Sequence, residues 1–173
     1  MSFPAPIPGA ILWCHFPTRE LRTRGIKPRP ALVLTVGDLP DGTVMAGIAY
    51  GTSKKVNDLN RGEFAITPAD GEAYMVSGLS LPTKFNLAER LELPYTDKWF
   101  SVPPNARHGQ TPILGYLHAS LYKRAAAVLE CCIKASPYYF PRRQSWTQRL
   151  VETTTATPSR PARPRRAAGI PTG

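Results

Sequence analysis

Short apolar runs, separated by clusters of turn-forming residues, alternate along the first hundred positions of the chain. Runs of roughly four to eight residues bounded by Gly, Pro or Asp are typical of β-strands. We therefore expect strands at positions 9–16, 29–36, 43–50, 63–67 and 72–77. The segment 85–93 fits either a sixth strand or a short helical turn.

One helical pattern follows the strands. Between positions 111 and 135, apolar residues recur at intervals of three and four: Leu114, Leu117, Leu121, Ala125, Val128 and Leu129. This spacing places them on one face of an α-helix. Several short strands followed by one helix predict a mainly β fold of the α+β class, in which the helix packs on a small, closed or half-closed antiparallel barrel.

Composition narrows this picture. The 173 residues include 19 prolines, a share that disfavours a helical bundle because each internal proline removes a backbone donor. No apolar run reaches the roughly 18 residues that a membrane span needs, and the first residues lack a signal-peptide pattern, so we expect a cytoplasmic protein with no membrane partner. The adjacent Cys131 and Cys132 have neither disulfide nor zinc-ligand spacing, and no metal or cofactor is expected.

Positive charge is concentrated towards the end of the chain. Lys and Arg number 22 against 12 Asp and Glu, which gives a net charge of +10. Residues 153–173 combine Pro and Arg with few large apolar side chains, a composition that predicts a disordered tail. We expect a folded domain over 8–135, a connecting segment over 136–152, and this basic tail, which either contacts a polyanion such as nucleic acid or serves only solubility.

Four motifs in order carry a resemblance to a known family. The apolar run GAILWCHF (9–16) is followed, after a basic loop, by KPRPALVL (27–34). Two further segments, AYGTSK (49–54) and GLSLPTKFNL (78–87), stand where the third and fourth motifs are expected. In this order they resemble the MazF/PemK family of toxin endoribonucleases, and the resemblance covers residues 8–135.

The resemblance implies an SH3-like, strongly bent antiparallel barrel with a C-terminal helix. It implies a homodimer that is the toxin of a type II toxin–antitoxin system and cleaves single-stranded RNA, such as mRNA, at specific sequences without a metal. In this cleavage the substrate's own 2′-OH attacks the phosphate and leaves a 2′,3′-cyclic phosphate. The implied partner is an antitoxin whose disordered acidic segment fills the RNA groove.

The resemblance also assigns candidate catalytic residues. Arg29 matches the family's catalytic arginine, and a planar cationic fork is suited to hold the extra charge of a pentavalent phosphate. Thr52 matches the catalytic threonine, and Ser53 is its alternate. A hydroxyl at this position can donate to a phosphate oxygen, although Gly-Thr-Ser is also common in ordinary turns.

Basic side chains flank both catalytic candidates. The loop between the first two strands carries Arg19, Arg22, Arg24 and Lys27, while Lys54 and Lys55 follow the Thr52–Ser53 pair. These charges favour contact with RNA phosphates or with an acidic antitoxin segment, and they are equally consistent with solvated loops. Tyr50 and Trp99 are candidates either for base stacking or for the core.

The fourth motif leaves a second function open. Gly78 and Ser80 stand where some family members carry Arg and Asp, so the acid–base pair of that subgroup is absent, and Lys84 is the alternate residue that would compensate. The alternative function is a non-catalytic regulator that binds nucleic acid or protein on the same barrel, with gyrase poisoning of the CcdB type as a variant. Histidine is the usual general base near neutral pH, but we expect His15 to be a half-buried structural residue.

Overall fold

Six β-strands in one antiparallel sheet form most of the folded part of the chain. The computed structural model describes residues 3–17 and 27–135. The strands are β1 (Ala10–Cys14), β2 (Arg29–Asp38), β3 (Val44–Thr52), β4 (Glu63–Ile66), β5 (Thr83–Pro94) and β6 (Ile113–Tyr116). A 3₁₀ turn (Pro68–Asp70) and helix α1 (Glu72–Val76) lie between β4 and β5, and helix α2 (Ala119–Ala135) follows β6. The expected α+β class is confirmed, and the predicted segments 136–152 and 153–173 lie outside the described residues.

The sheet is curled rather than flat. Its strand order is β4-β5-β3-β2-β1-β6, and the neighbouring strands are antiparallel. The ladder register shifts between Val33 and Thr35 along the β2–β3 pair and between Ala49 and Tyr50 along the β3–β5 pair. Such irregularities bend a strand and increase its local twist. The result is a half-barrel whose edge strands are β4 and β6.

Both faces of the sheet are buried. On the helix face, α1 and α2 cover a core that includes Phe64 and Phe85. On the opposite side, the loop face, the segment 95–100 covers a second core that includes Leu12 and Ile48. Because neither face is left to solvent, the strands read as continuous apolar runs instead of an alternation of apolar and polar residues.

The segment 72–77 is a helix, so the predicted strand is wrong. A capping box precedes it, in which the backbone N–H of Thr67 donates to the Asp70 carboxylate at 2.7 Å. Pro68 supplies a φ that suits the first helical position. The chain therefore begins to wind before α1, and Ala73 is buried in the helix-face core as part of a helical turn.

The long helix begins at Ala119 rather than at residue 111, so this boundary was also predicted wrongly. Residues Ile113–Tyr116 form β6, in which Gly115 pairs with Ile11 of β1. Two leucines at helical spacing do not exclude a strand when a neighbouring strand supplies backbone partners. The ambiguous segment 85–93 lies within strand β5.

Helix α2 packs one side on the helix face of the sheet. Leu121, Ala125 and Leu129 are buried along that side. On its flank, Arg124 donates to the Asp70 carboxylate at 2.9 Å, which ties α2 to the turn before α1. Neither helix in residues 3–17 and 27–135 combines the length and the apolar composition that a membrane span requires.

The turn after α1 lies against the backbone of β6. Gly78 has a φ of 67°, and a Cβ at this position would overlap the carbonyl oxygen of Leu114. Gly42, in the turn between β2 and β3, has a φ of 81° but open space where its Cβ would stand. Glycine is therefore required at 78 by both conformation and space, and at 42 by conformation alone.

Gly78→Ala is expected to lower the free energy of unfolding by about 3 kcal/mol or more, because a backbone overlap adds to the cost of a positive φ. Gly42→Ala is the matched control and should lower it by only about 1 kcal/mol. Urea unfolding of both variants measures the difference. Equal losses would show that the approach of Gly78 to β6 does not limit stability.

Candidate active site

Arg29, Thr52 and Lys84 lie in one row across three neighbouring strands. Arg29 is the first residue of β2 and Thr52 is the last residue of β3. The β2–β3 register reaches Ala31 opposite Tyr50, and its continuation places Arg29 opposite Thr52. Thr52 in turn pairs with Lys84 of β5. The fold therefore brings together the two catalytic candidates, Arg29 and Thr52, and the alternate residue Lys84.

Arg29 and Thr52 share the loop face of the sheet. Side chains alternate between the two faces along a strand, so Arg29 lies on the same side as Ala31 and Thr52 on the same side as Ile48. Ala31 and Ile48 both belong to the loop-face core. Arg29 and Thr52 are each half-buried, since they stand where the strands leave that core.

An aromatic pair adjoins the two catalytic candidates. Tyr50, two residues before Thr52 on the same face, is half-buried and meets Phe16 edge to face, with ring centroids 4.9 Å apart. Trp99, the other stacking candidate, is 8% exposed and belongs to the loop-face core. Of the two aromatic candidates, Tyr50 is therefore the one beside Thr52 with part of its surface accessible to a base.

The loop after β3 has a defined shape beside Thr52. Thr52 Oγ1 accepts a hydrogen bond from the Lys54 N–H at 3.2 Å, and the Asp58 N–H donates to the Lys55 carbonyl at 3.0 Å. Lys55 has a φ of 50°, which is uncommon for a residue with a side chain. Because the Thr52 oxygen accepts in this turn, its hydroxyl proton is available to donate to a phosphate. Ser53, Lys54 and Lys55 are exposed.

Lys84 is a buried cation that cross-links this loop to the sheet. Its side chain is 8% exposed, and Nζ donates to the Glu63 carboxylate at 2.8 Å and to the Asp58 carbonyl at 2.7 Å. Burial works against the charge of Glu63, but hydrogen bonds from Lys84 and from the Asn60 N–H keep the pKa of this carboxyl below its ordinary value of 4.5. The contacts of Lys84 thus favour a positioning role over direct contact with RNA.

An open depression of about 680 Å³ lies next to Thr52, between the loop after β3 and the segment before β5. The residues that line it are Ser53, Lys55, Val56, Asn57, Asp58, Leu81 and Pro82. Sequence reasoning did not single out Asn57 or Asp58, because they belong to a loop without a motif. It gave Leu81 no role, although Leu81 lies within the fourth motif, 78–87. The available signal was Leu81, a large apolar loop residue, which is 58% exposed.

The other basic candidates are only partly described. Lys27 is exposed two residues before Arg29, so its charge adds to that of Lys54 and Lys55 around the row. The remaining arginines of the same loop lie outside the described residues: Arg19, Arg22 and Arg24.

His15 does not share a face with the row of candidates. His15 is half-buried, as expected, and its Nε2 lies 3.0 Å from Ser101 Oγ. It follows Cys14, the partner of Arg29 in β1, so strand alternation places it on the opposite face from Arg29. Within residues 3–17 and 27–135, no group of three or more His, Cys, Asp or Glu side chains is arranged to hold a metal ion.

The three cysteines differ in their surroundings. Cys14 is fully buried as part of the loop-face core, and burial raises the pKa of its thiol far above the ordinary range. On α2, Cys131 is exposed and Cys132 is buried. Burial raises the pKa of Cys132 too, and the neighbouring Cys131 adds to this effect.

Comparison with known proteins does not assign a family. No protein-family model matches the sequence, and no curated protein matches it. The functional interpretation therefore depends on two observations. One is the row that Arg29, Thr52 and Lys84 form across neighbouring strands, and the other is the order of the four sequence motifs in which these residues lie.

Lys84→Met is expected to lower the free energy of unfolding by about 3 kcal/mol at pH 7, because it leaves the Glu63 carboxylate buried without its cation. Replacing both residues, Lys84→Met with Glu63→Gln, should cost less, since no buried charge remains. Denaturant unfolding of the two variants measures this difference. Equal losses would contradict the structural role of the pair.

The same pair makes stability depend on pH in a defined direction. Because the folded-state pKa of Glu63 is depressed, its contribution is fully present above about pH 4.5 and is lost as the pH falls through the folded-state value. The double variant has no carboxyl at position 63, so its stability should not show this loss. Urea unfolding of the wild type and the double variant, at pH 7 and at values below 4.5, measures the difference.

Proposed function

We propose that this protein is a metal-independent, sequence-specific endoribonuclease toxin of a type II toxin–antitoxin system. The observation that carries the proposal is the placement of Arg29 opposite Thr52, on one face at the strand ends, beside exposed lysines. The motifs at 9–16, 27–34 and 49–54, which resemble those of the MazF/PemK family, support the same interpretation. The curled six-stranded sheet with α2 against it is consistent with the SH3-like barrel of that family.

The reaction is an internal transesterification of single-stranded RNA. The 2′-oxygen loses its proton and bonds to phosphorus, the bond from phosphorus to the 5′-oxygen breaks, and the leaving oxygen gains a proton. A 2′,3′-cyclic phosphate and a 5′-hydroxyl result. Arg29 donates two parallel N–H bonds to the non-bridging oxygens of the pentavalent intermediate, and the Thr52 hydroxyl donates to the same group.

The exposed cations around this site bind the RNA backbone. Lys27, Lys54 and Lys55 form a basic rim in the described part of the chain, and the proposal adds Arg19, Arg22 and Arg24 to it. Affinity for RNA then falls as salt rises, because each phosphate contact releases counterions. The same rim attracts the disordered acidic segment of an antitoxin, which blocks RNA by occupying its place. A homodimer acting in the cytoplasm is part of this proposal.

Arg29→Ala is expected to slow RNA cleavage at least about a hundredfold, because the donors that stabilise the pentavalent phosphate are lost. Purified protein is incubated with a long defined RNA in the presence of EDTA, and the fragment ends are examined for 2′,3′-cyclic phosphate. Arg107→Ala, which removes an exposed arginine from the loop before β6, is the matched control and should cleave like the wild type. RNA left intact by the wild-type protein would contradict the proposal.

Thr52→Val tests the hydroxyl at nearly constant shape. It is expected to lower the single-turnover cleavage rate by roughly tenfold to a hundredfold, since one donor to the phosphate is removed. Thr52→Ser keeps both the donor and the acceptor for the Lys54 N–H, so it should retain most of the activity. A Val variant as fast as the wild type would exclude Thr52 from the mechanism.

A non-catalytic regulator is the second candidate function. It is favoured by the state of the fourth motif, in which Gly78 and Ser80 supply no acid–base pair and Lys84 is engaged by Glu63 and Asp58. A regulator needs the basic rim but not that pair. Salt-sensitive RNA binding without cleavage, shown equally by wild type and Arg29→Ala, would favour this function over the first.

A further inference from the structure

We infer that the depression beside Thr52 is a nucleobase pocket whose polar edge selects guanine. It begins at Ser53, directly after Thr52, so the base of a nucleotide next to the scissile phosphate can reach it. The inference rests on the proposed function and extends it, because it names the base that the enzyme would require beside the cut. The argument combines the apolar wall of the pocket, its polar edge and the contacts that hold it in shape.

The apolar wall of the pocket suits the face of a flat ring. Leu81 is 58% exposed although it is a large aliphatic residue, and it is followed by Pro82 in the pocket lining. Val56 contributes a half-buried aliphatic side chain from the loop after β3. Apolar side chains exposed next to polar ones are characteristic of ligand pockets, and RNA-binding proteins hold unstacked bases by contact with their faces.

The polar edge of the pocket matches the hydrogen-bonding groups of guanine. The Asp58 carboxylate accepts hydrogen bonds and donates none, and guanine presents two adjacent donors, N1–H and the N2 amino group. The Asn57 amide can donate to the guanine O6 or N7 acceptors. Uracil has a single ring donor between two acceptors, while adenine and cytosine each have one amino group, so these bases make fewer bonds to a carboxylate.

The pocket is held in shape without a ligand. Lys84 Nζ holds the Asp58 carbonyl at 2.7 Å, and the Asp58 N–H is bonded to the Lys55 carbonyl at 3.0 Å. Both contacts use the backbone of Asp58, so neither of them occupies its carboxylate. A loop that is already ordered loses little entropy when a base binds, which favours discrimination between similar bases. Lys55 adds a positive charge for the phosphate of the bound nucleotide.

Binding of the four nucleoside 5′-monophosphates to the full chain tests this inference without requiring catalysis. In NMR titrations, GMP is expected to bind roughly tenfold more tightly than UMP, AMP or CMP, with shifts at Asn57, Asp58 and Leu81. Asp58→Asn should abolish the preference for GMP, because an amide N–H then faces the N–H donors of guanine. The backbone carbonyl at position 58, which accepts from Lys84, is unchanged by this substitution. Glu130→Gln removes an exposed carboxylate from α2 and should leave the preference intact.

The outcomes separate the pocket from the proposed function. Equal binding of all four nucleotides, or shifts confined to Lys54 and Lys55, would overturn the pocket. If Asp58→Asn does not fold, Asn57→Ala provides the second test and should weaken GMP binding several-fold without affecting UMP. Selective GMP binding without RNA cleavage would support the pocket and contradict the proposed ribonuclease. Cleavage at sites indifferent to guanine would contradict the pocket and leave the ribonuclease standing.

Discussion

Burial of both faces of the sheet determines where this protein can carry chemistry. The helices cover one face and the segment 95–100 covers the other, so polar side chains meet solvent where the strands leave the two cores. Antiparallel pairing places the start of one strand beside the end of the next. Arg29 begins β2 and Thr52 ends β3, which is why two residues far apart in the chain meet at one end of the sheet.

The same end of the sheet contains the buried Lys84–Glu63 pair. A buried charge without a partner is strongly destabilising, so the ammonium, the carboxylate and the Asp58 carbonyl must be assembled together. This requirement couples β4, β5 and the loop after β3 into one unit. The loop that carries the exposed lysines is therefore an extension of the folded core, and the position of Thr52 relative to the pocket depends on it.

The strands were predictable because residues buried on both sides are apolar without interruption, and the runs at 9–16, 29–36 and 43–50 correspond to β1, β2 and β3. The segment 72–77 was not, because the signal for α1 lies upstream in the capping box of Thr67 and Asp70. Arg29 and Thr52 were named as candidates from their motifs, and their place at the strand ends could be expected from the strand boundaries. The role of Lys84 and the pocket could not be identified. They depend on the contacts of Lys84 with Glu63, which is 21 positions away in the chain, and with Asp58, which is 26 positions away, and no local pattern shows such contacts.

The burial of Cys14 insulates the candidate site from redox chemistry. Oxidation and disulfide exchange require a thiolate that reagents can reach, and Cys14, the strand partner of Arg29, has a raised pKa and no exposed surface. Cys131, by contrast, is exposed on α2, on the other side of the sheet. Of the two, Cys131 is therefore the thiol that an oxidant can reach, and Cys14 beside Arg29 is shielded from it.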